Sequence, residues 1–97
     1  MLLEEAGFEI LDRQVERCWH IEVDGEPWQA CVRADLLVRR RGLTYVAEVK
    51  TGSQAPDPLL PATRRQLLEY LLIFEPDGLL LVDVESGDLV EVAFPAV

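Results

Sequence analysis

The run Leu43-Thr44-Tyr45-Val46-Ala47-Glu48-Val49-Lys50 is a clear strand pattern, and its last three residues include an acid, Glu48, and a base, Lys50. Successive side chains of a strand point to opposite faces, so Glu48 and Lys50 share one face, roughly 6.6 Å apart along the backbone. Tyr45, Ala47 and Val49 take the other face. The pattern predicts a carboxylate and an ammonium fixed side by side.

Lys50 is the only lysine of the chain, and the other basic residues are eight arginines. A lysine ammonium can shift its pKa and release a proton, whereas an arginine guanidinium cannot. This favours a reaction in which acidic side chains, Glu48 and the Asp35 that opens the preceding apolar run, hold a divalent cation while Lys50 steers or activates a water. The alternative is an exposed strand face with a surface ion pair, worth about 0 to 1 kcal/mol.

The length of 97 residues predicts a single domain over residues 1–97. A domain of this size buries only about 60 to 70% of the surface of its unfolded chain, and small domains often complete their burial by pairing, so we expect a homodimer. No apolar run approaches the roughly 20 residues of a membrane-spanning helix, and the N-terminus lacks a secretory signal pattern. We therefore expect a cytoplasmic protein without membrane contact.

The two cysteines are not arranged as a recognisable sequence motif. Cys18 and Cys31 lack a C-x-x-C spacing and histidine neighbours that could complete a zinc site, and His20 is the only histidine. We expect two buried or half-buried free thiols, and we assign no role to His20.

The net charge of −9 argues against a general affinity for polyanions, but its distribution is uneven. Residues 33–65 carry seven basic groups against three acids, whereas both flanking thirds of the chain are strongly acidic. The basic third contains Asp35, Glu48 and Lys50. The charge pattern thus leaves nucleic-acid binding open at the place where the candidate chemistry lies.

Periodicity and turn residues predict the remaining elements. The first half of the chain is expected to contain a short helix over 1–6, a strand over 8–15, and a hairpin in which a strand over 19–23 turns at Asp24-Gly25 and returns through 28–32 into 34–38. The second half is expected to contain a stiff proline-containing loop over 51–61, a helix over about 62–74, and a closing hairpin of 79–84 and 89–94. On the second helix, Gln66 and Tyr70 lie four residues apart and share one face. From this face Gln66 could bind a phosphate or orient Lys50, and Tyr70, one turn further on, could support Gln66.

Asp35, twelve intervening residues, Glu48-Val49-Lys50 and then Gln66-x-x-x-Tyr70 on a helix resemble the PD-(D/E)XK nuclease superfamily. The Lys-Thr-Gly after the glutamate and the Gln-x-x-x-Tyr pattern are similar to its RecB-type branch. The order of elements matches over roughly residues 8–85, and the diagnostic part spans residues 35–70. Ala34 stands where the name pattern of the family has proline.

This resemblance implies an α/β fold with a restriction-endonuclease-like core, in which helices flank a central mixed β-sheet and the first helix is shortened. It implies that Asp35 and Glu48 bind Mg²⁺ or Mn²⁺ with the Val49 carbonyl as a third ligand. Lys50 would position or deprotonate the attacking water, and Gln66 would support the site. Contacts with nucleic acid are expected at Arg33, Arg39, Arg40, Arg41, Arg64, Arg65 and Tyr70, although the run of three arginines could equally be a charged turn that favours solubility.

The first helix departs from the family, which usually carries a glutamate there about three turns before the Gly-aromatic pair. Gly7-Phe8 leaves little room for one. Glu4 or Glu5 could substitute, the site could use fewer acidic ligands, a neighbouring subunit could complete it, or the chain is a shortened or degenerate copy. The sequence therefore predicts a magnesium-dependent nuclease that hydrolyses phosphodiester bonds in DNA. The alternatives are a catalytically weak or inactive module that binds nucleic acid or a protein partner, and a structural subunit with an acidic surface.

Overall fold

The computed structural model describes residues 2–51 and 57–95, so part of the expected proline-containing loop lies outside the described residues. The elements are α1 (Leu2–Glu5), β1 (Glu9–Val23), β2 (Glu26–Arg40), β3 (Leu43–Lys50), α2 (Pro61–Phe74), β4 (Gly78–Asp83) and β5 (Asp88–Val92). The five strands form one sheet in chain order, and all neighbours are antiparallel except the parallel pair β3 and β4. The prediction of a mixed sheet with helices is confirmed. Within the described residues, neither helix is long and apolar enough to cross a membrane.

Two tight turns set the register of the first three strands. Asp24-Gly25 joins β1 to β2, and Arg41-Gly42 joins β2 to β3, and all four residues have positive φ angles between 50° and 80°. Two-residue turns with both residues in this region match the right-handed twist of the strands they connect. The strands predicted over 8–15 and 19–23 are in fact one continuous strand, β1.

The paired ends of β1 and β2 project beyond the rest of the sheet. Only residues 36–40 of β2 pair with β3, whereas β1 and β2 stay paired up to the turn at Asp24-Gly25. We call this two-stranded extension, residues 16–33, the arm. Trp28, near its tip, is 59% exposed.

A disulfide between Cys18 and Cys31 links the two strands of the arm. Both cysteines are exposed, so the prediction of buried free thiols is wrong. The reason is the register of the hairpin, which places Cys18 directly opposite Cys31 although 13 positions separate them in sequence. The sequence spacing of the two cysteines does not show that they are close, whereas the pairing of the strands across the Asp24-Gly25 turn does.

The sheet has a hydrophobic cluster on each face. The cluster beneath α1 contains Leu3, Phe8, Leu36, Val38, Tyr45, Ala47, Leu80 and Val82. The cluster beneath α2 contains Val32, Ala34, Val46, Leu67, Tyr70, Phe74, Leu79 and Leu81. The split of Tyr45 and Ala47 from Val46 confirms the predicted alternation of β3. It also places Glu48 on the face that α2 covers.

Strand β2 changes face at Asp35. Val32 and Ala34 pack beneath α2, whereas Leu36 and Val38 pack beneath α1. Opposite this point on β1, Gln14 has a φ of 51°, in the left-handed region that side-chain-bearing residues seldom adopt. The local twist brings Asp35 to the boundary between the two faces, next to the end of β3.

Candidate functional site

Asp35 lies where β2 parts from β3, with its carboxylate turned toward the end of β3. Its Oδ2 accepts a hydrogen bond from the backbone N–H of Val49 at 2.8 Å, and its Oδ1 accepts one from the Gln14 side-chain amide at 3.4 Å. Burial alone would raise the pKa of Asp35, but hydrogen bonds from Glu48, Val49 and Gln14 outweigh it and hold the pKa below its usual range. Asp35 is therefore an ionised carboxylate that several donors keep in place.

Glu48 is the buried carboxyl group of the site, with only 5% of the residue exposed. Burial, followed by its hydrogen bond with Asp35, raises the pKa of Glu48 to about 7. Two touching carboxyl groups cannot both ionise freely, so the pair holds one proton in weak acid and loses it as the pH rises through about 7. The alternative of an exposed strand face with a surface ion pair is wrong, because Glu48 is buried.

Tyr70 lies directly behind Glu48. Its hydroxyl is 2.6 Å from Glu48 Oε2 and 2.8 Å from the backbone oxygen of Arg33, and it accepts a hydrogen bond from Gln66 Nε2 at 3.0 Å. The hydroxyl has one proton, so it donates to either Glu48 or Arg33 at a given moment. Burial and the nearby Glu48 raise the pKa of Tyr70 far above its usual range, which keeps the phenol neutral. With 1% exposure, Tyr70 offers no surface to a nucleic acid, contrary to the prediction.

Lys50 and Gln66 complete the group. The Lys50 ammonium donates to Gln66 Oε1 at 3.5 Å, and Gln66 in turn donates to Tyr70, so the predicted common face of Gln66 and Tyr70 is confirmed. Both Lys50 and Gln66 are half-buried. The structure thus links the four predicted catalytic side chains, Asp35, Glu48, Lys50 and Gln66, through one hydrogen-bonded network that also contains Tyr70. A metal-binding role for the Val49 carbonyl stays a prediction.

The arginines fall into two groups. Arg39, Arg40 and Arg41 lie around the β2–β3 turn, at the opposite end of β3 from Lys50, which corresponds to roughly 20 Å of extended strand. Arg39 pairs with Glu9 at 2.9 Å, and the Arg40 guanidinium lies 4.1 Å from the centre of the Phe8 ring.

Arg64 and Arg65 are exposed on the first turns of α2, next to Gln66. Arg33 is exposed at the base of the arm and pairs with Glu16 at 3.2 Å. These three arginines lie close in sequence to residues of the site, whereas the structure does not bring the run Arg39–Arg40–Arg41 to it.

A cleft of about 400 Å³ beside Asp35 contains two residues that the sequence did not single out. Arg13 and Gln14 line it together with Leu36 and Val49. Gln14 lies opposite Asp35 in the hairpin, since its neighbours on both sides pair with the neighbours of Asp35. The Asp24-Gly25 turn was the signal that could have identified it, because a two-residue turn sets the pairing of the strands it joins, here as far as the register shift between Ile10 and Asp12.

The predicted first-helix ligand is not found beside the two carboxyl groups. Glu4 and Glu5 are exposed on α1, which packs through the fully buried Leu3. Within residues 2–51 and 57–95, no third acidic, histidine or cysteine side chain joins Asp35 and Glu48 closely enough to form a three-residue metal cluster. The described part of the chain therefore supplies two acidic side chains to this site.

Comparison with known proteins adds a likeness in fold. No protein-family model matches the chain, and no curated protein sequence matches it significantly. A solved structure, described as the crystal structure of SSO0001, is similar with a TM-score of 0.61 and 26% sequence identity. The match covers 84% of this chain and 40% of that one. The chain thus spans about two fifths of the length of SSO0001.

Proposed function

We propose that this chain is a magnesium- or manganese-dependent nuclease that hydrolyses phosphodiester bonds in DNA, with a restriction-endonuclease-like core. The observation that carries the proposal is the contact between the carboxyl groups of Asp35 and Glu48 at the end of β3, with the Lys50 ammonium two residues further on. The order of these residues and of Gln66 and Tyr70 is the PD-(D/E)XK pattern. Here the pattern coincides with a physical network, which supports the proposal independently of the sequence resemblance.

The donor set fits a hard divalent cation. Mg²⁺ and Mn²⁺ prefer oxygen ligands. Asp35 lines a cleft that is open to solvent, and its buried partner Glu48 adds further carboxylate oxygens. A cation beside both groups would take the place of the proton that they now share and let both ionise. The bound cation would supply Lewis-acid stabilisation of the phosphate and lower the pKa of a coordinated water.

The protein groups around this pair have separable tasks. The Val49 N–H and the Gln14 amide fix the orientation of the Asp35 carboxylate, and the Tyr70 hydroxyl fixes Glu48. Lys50, held by Gln66, can position an attacking water or stabilise the charge that develops on the phosphate. Rigid hydrogen bonding of this kind is what keeps a reacting group in the geometry that hydrolysis requires.

Substrate binding is assigned to the arginines close to the site. We assign phosphate contacts to Arg64 and Arg65, which are exposed on α2, and to Arg13, which lines the cleft. Arg39 and Arg40 make contacts within the protein instead.

A cleavage assay tests the proposal. The purified chain is incubated with circular, linear and single-stranded DNA, with Mg²⁺, with Mn²⁺ or with a chelator. Asp35→Asn and Lys50→Gln should each lower the rate by about 100-fold or more while leaving the fold intact by circular dichroism. Asp24→Asn, a matched change at the remote tip of the arm, should leave the rate unchanged. Cleavage that persists in both site variants, or in excess chelator, would refute the proposal.

The second candidate is a module of the same fold that binds nucleic acid or a protein partner with weak or no catalysis. One observation favours it: the described residues provide only two acidic side chains at the site. A site that another polypeptide completes would show this feature. Binding of DNA that survives chelation, in the absence of any metal-dependent cleavage, would identify this candidate.

A further inference from the structure

Outside the site at Asp35 and Glu48, the described residues contain one cluster of potential metal ligands, on the arm. The Glu16 carboxylate and the two sulfur atoms of Cys18 and Cys31 lie within 4.8 Å of one another, and all three residues are exposed. Glu16, Cys18 and His20 alternate along β1, so they point to the same face of the arm. The register of the hairpin adds Cys31 to that face, directly opposite Cys18.

We propose that this cluster binds Zn²⁺, or a divalent cation of the same class, once the Cys18–Cys31 disulfide is reduced. The ligands are the two thiolates and the Glu16 carboxylate. We assign the fourth position to His20, which is outside this group of three but lies on the same face two residues after Cys18, so the expectation that no histidine could complete a zinc site here is revised. The site goes beyond the proposed nuclease function and does not depend on it. It shares no residue with the Asp35 and Glu48 pair.

The chemistry of the donors decides the class of cation. Thiolate and imidazole are soft or borderline ligands that select Zn²⁺ and similar ions over Mg²⁺, in contrast to the all-oxygen donors beside the cleft. Sulfur atoms that share a tetrahedral Zn²⁺ lie about 3.8 Å apart, given Zn–S bonds of about 2.3 Å. Two cysteines on opposed strand positions can reach this separation by side-chain rotation once the S–S bond is broken.

The surroundings allow the exchange of partners that binding requires. In the oxidised form, Glu16 pairs with Arg33 at 3.2 Å, and the two side chains are 52% and 61% exposed. Such an exposed pair is readily exchanged for a stronger ligand. Glu16 can therefore turn from Arg33 to the cation without leaving a buried charge.

Reduction of the disulfide and binding of the cation are two separate steps. A dithiol reductant transfers two electrons and two protons to the disulfide, whose S–S bond breaks to give the thiols of Cys18 and Cys31, while the reductant itself becomes a disulfide. Binding of the cation then releases the two thiol protons to solvent. The two sulfur atoms cannot be bonded to each other and bind the cation at the same time. The site therefore binds the cation only when the disulfide of the arm is reduced.

Cobalt titration of the whole chain tests the proposal. The protein is reduced with dithiothreitol, desalted without oxygen and titrated with Co²⁺, and a parallel sample is kept oxidised. Reduced protein should show the thiolate-to-cobalt charge-transfer band and the visible bands of tetrahedral Co²⁺ at one equivalent, and Zn²⁺ should abolish them. Oxidised protein should show neither. An absent band in reduced protein that circular dichroism shows to be folded, or an equal band in oxidised protein, would overturn the site.

Variants separate the ligands from their neighbours. Cys18→Ser and Cys31→Ser should each remove the charge-transfer band or weaken Co²⁺ binding by at least about 100-fold. Loss of a residue that only supports a ligand can cost up to about 100-fold in affinity, so loss of a ligand should cost at least as much. Glu16→Gln and His20→Ala should weaken binding by about tenfold or more. Glu22→Gln, a matched carboxylate further along the same face, should change nothing. Unchanged affinity in both cysteine variants would refute the site, and unchanged affinity in His20→Ala would remove His20 from the ligand set.

Discussion

Glu48 is expected to make the stability of the protein fall as the pH rises through neutrality. Its pKa is about 7 in the folded protein, because the group is buried and bonded to Asp35, against an ordinary value of 4.5. The folded state therefore holds the proton more tightly than the unfolded state does. The stabilisation that this proton provides is fully present below pH 4.5 and is lost as the pH rises through about 7.

The magnitude follows from the size of the shift. One pKa unit corresponds to about 1.4 kcal/mol, so ionising Glu48 in the folded protein lowers the free energy of unfolding by about 2.5 kcal/mol between pH 5 and pH 8. Asp35 does not contribute in this window. Its pKa is lowered below 3.8, so its own contribution is present above that pH and is lost only in stronger acid.

Urea unfolding in the presence of a chelator measures the effect, at pH values from 5 to 8. Glu48→Gln, a neutral side chain of the same shape, should remove most of the pH dependence and should be more stable than the wild type at pH 8. Glu22→Gln on the exposed arm is the control for the loss of one negative charge. Equal stability of the wild-type protein at pH 5 and pH 8, or an unchanged slope in Glu48→Gln, would show that this reasoning is wrong.

Adding the proposed cation extends the same experiment. Mg²⁺ in place of the chelator should restore stability at pH 8, by about 2.7 kcal/mol at a hundred times its dissociation constant, and should do little at pH 5, where the proton occupies the pair. Glu48→Gln should lose this response. Stabilisation by Mg²⁺ that is identical in both proteins would place the ion elsewhere.

Three further changes have defined outcomes. Tyr70→Phe removes the hydroxyl behind Glu48 and should lower the unfolding free energy by about 2 kcal/mol in urea titrations, whereas Tyr45→Phe, a control whose ring packs on Phe8, should have little effect. Gly78→Ala would place a methyl group 2.6 Å from the Tyr45 ring and should cost about 1 to 3 kcal/mol by the same measurement. Arg40→Ala should cost about 1 kcal/mol by loss of its contact with Phe8 and leave DNA cleavage unchanged; loss of cleavage at unchanged stability would contradict this.

Local patterns in the sequence predicted most of the elements. The apolar run within Leu43–Lys50 identified β3 to the residue, because both faces of this strand pack beneath a helix. Pro61 and the Glu75-Pro76-Asp77-Gly78 stretch bounded α2 within one residue, since proline suits a first turn and cannot continue a helix. These signals act within a few residues, so tertiary context did not override them.

Geometry already contained in the sequence bears on two of the predictions. Arg39–Arg40–Arg41 precede β3 and Lys50 ends it, so an extended strand must separate them by roughly 20 Å. Leu67, Tyr70 and Phe74 form an apolar stripe at helical spacing, which places Tyr70 on the inner face of α2. The exposed role predicted for Tyr70 ignored this stripe. Its hydroxyl instead serves the buried carboxyl group of Glu48.

The change of face at Asp35 could not be predicted, because the break in strand β2 leaves no trace in its hydrophobic pattern. Val32, Ala34, Leu36 and Val38 alternate without interruption, and a regular strand would put all four on one face. In the structure they divide between the two faces at Asp35, opposite the left-handed Gln14. A regular strand would leave the direction of Asp35 fixed by its neighbours. The register of β2 and β3, continued by one pair, already places Asp35 opposite Glu48, and the Asp35 carboxylate there also accepts the Val49 N–H.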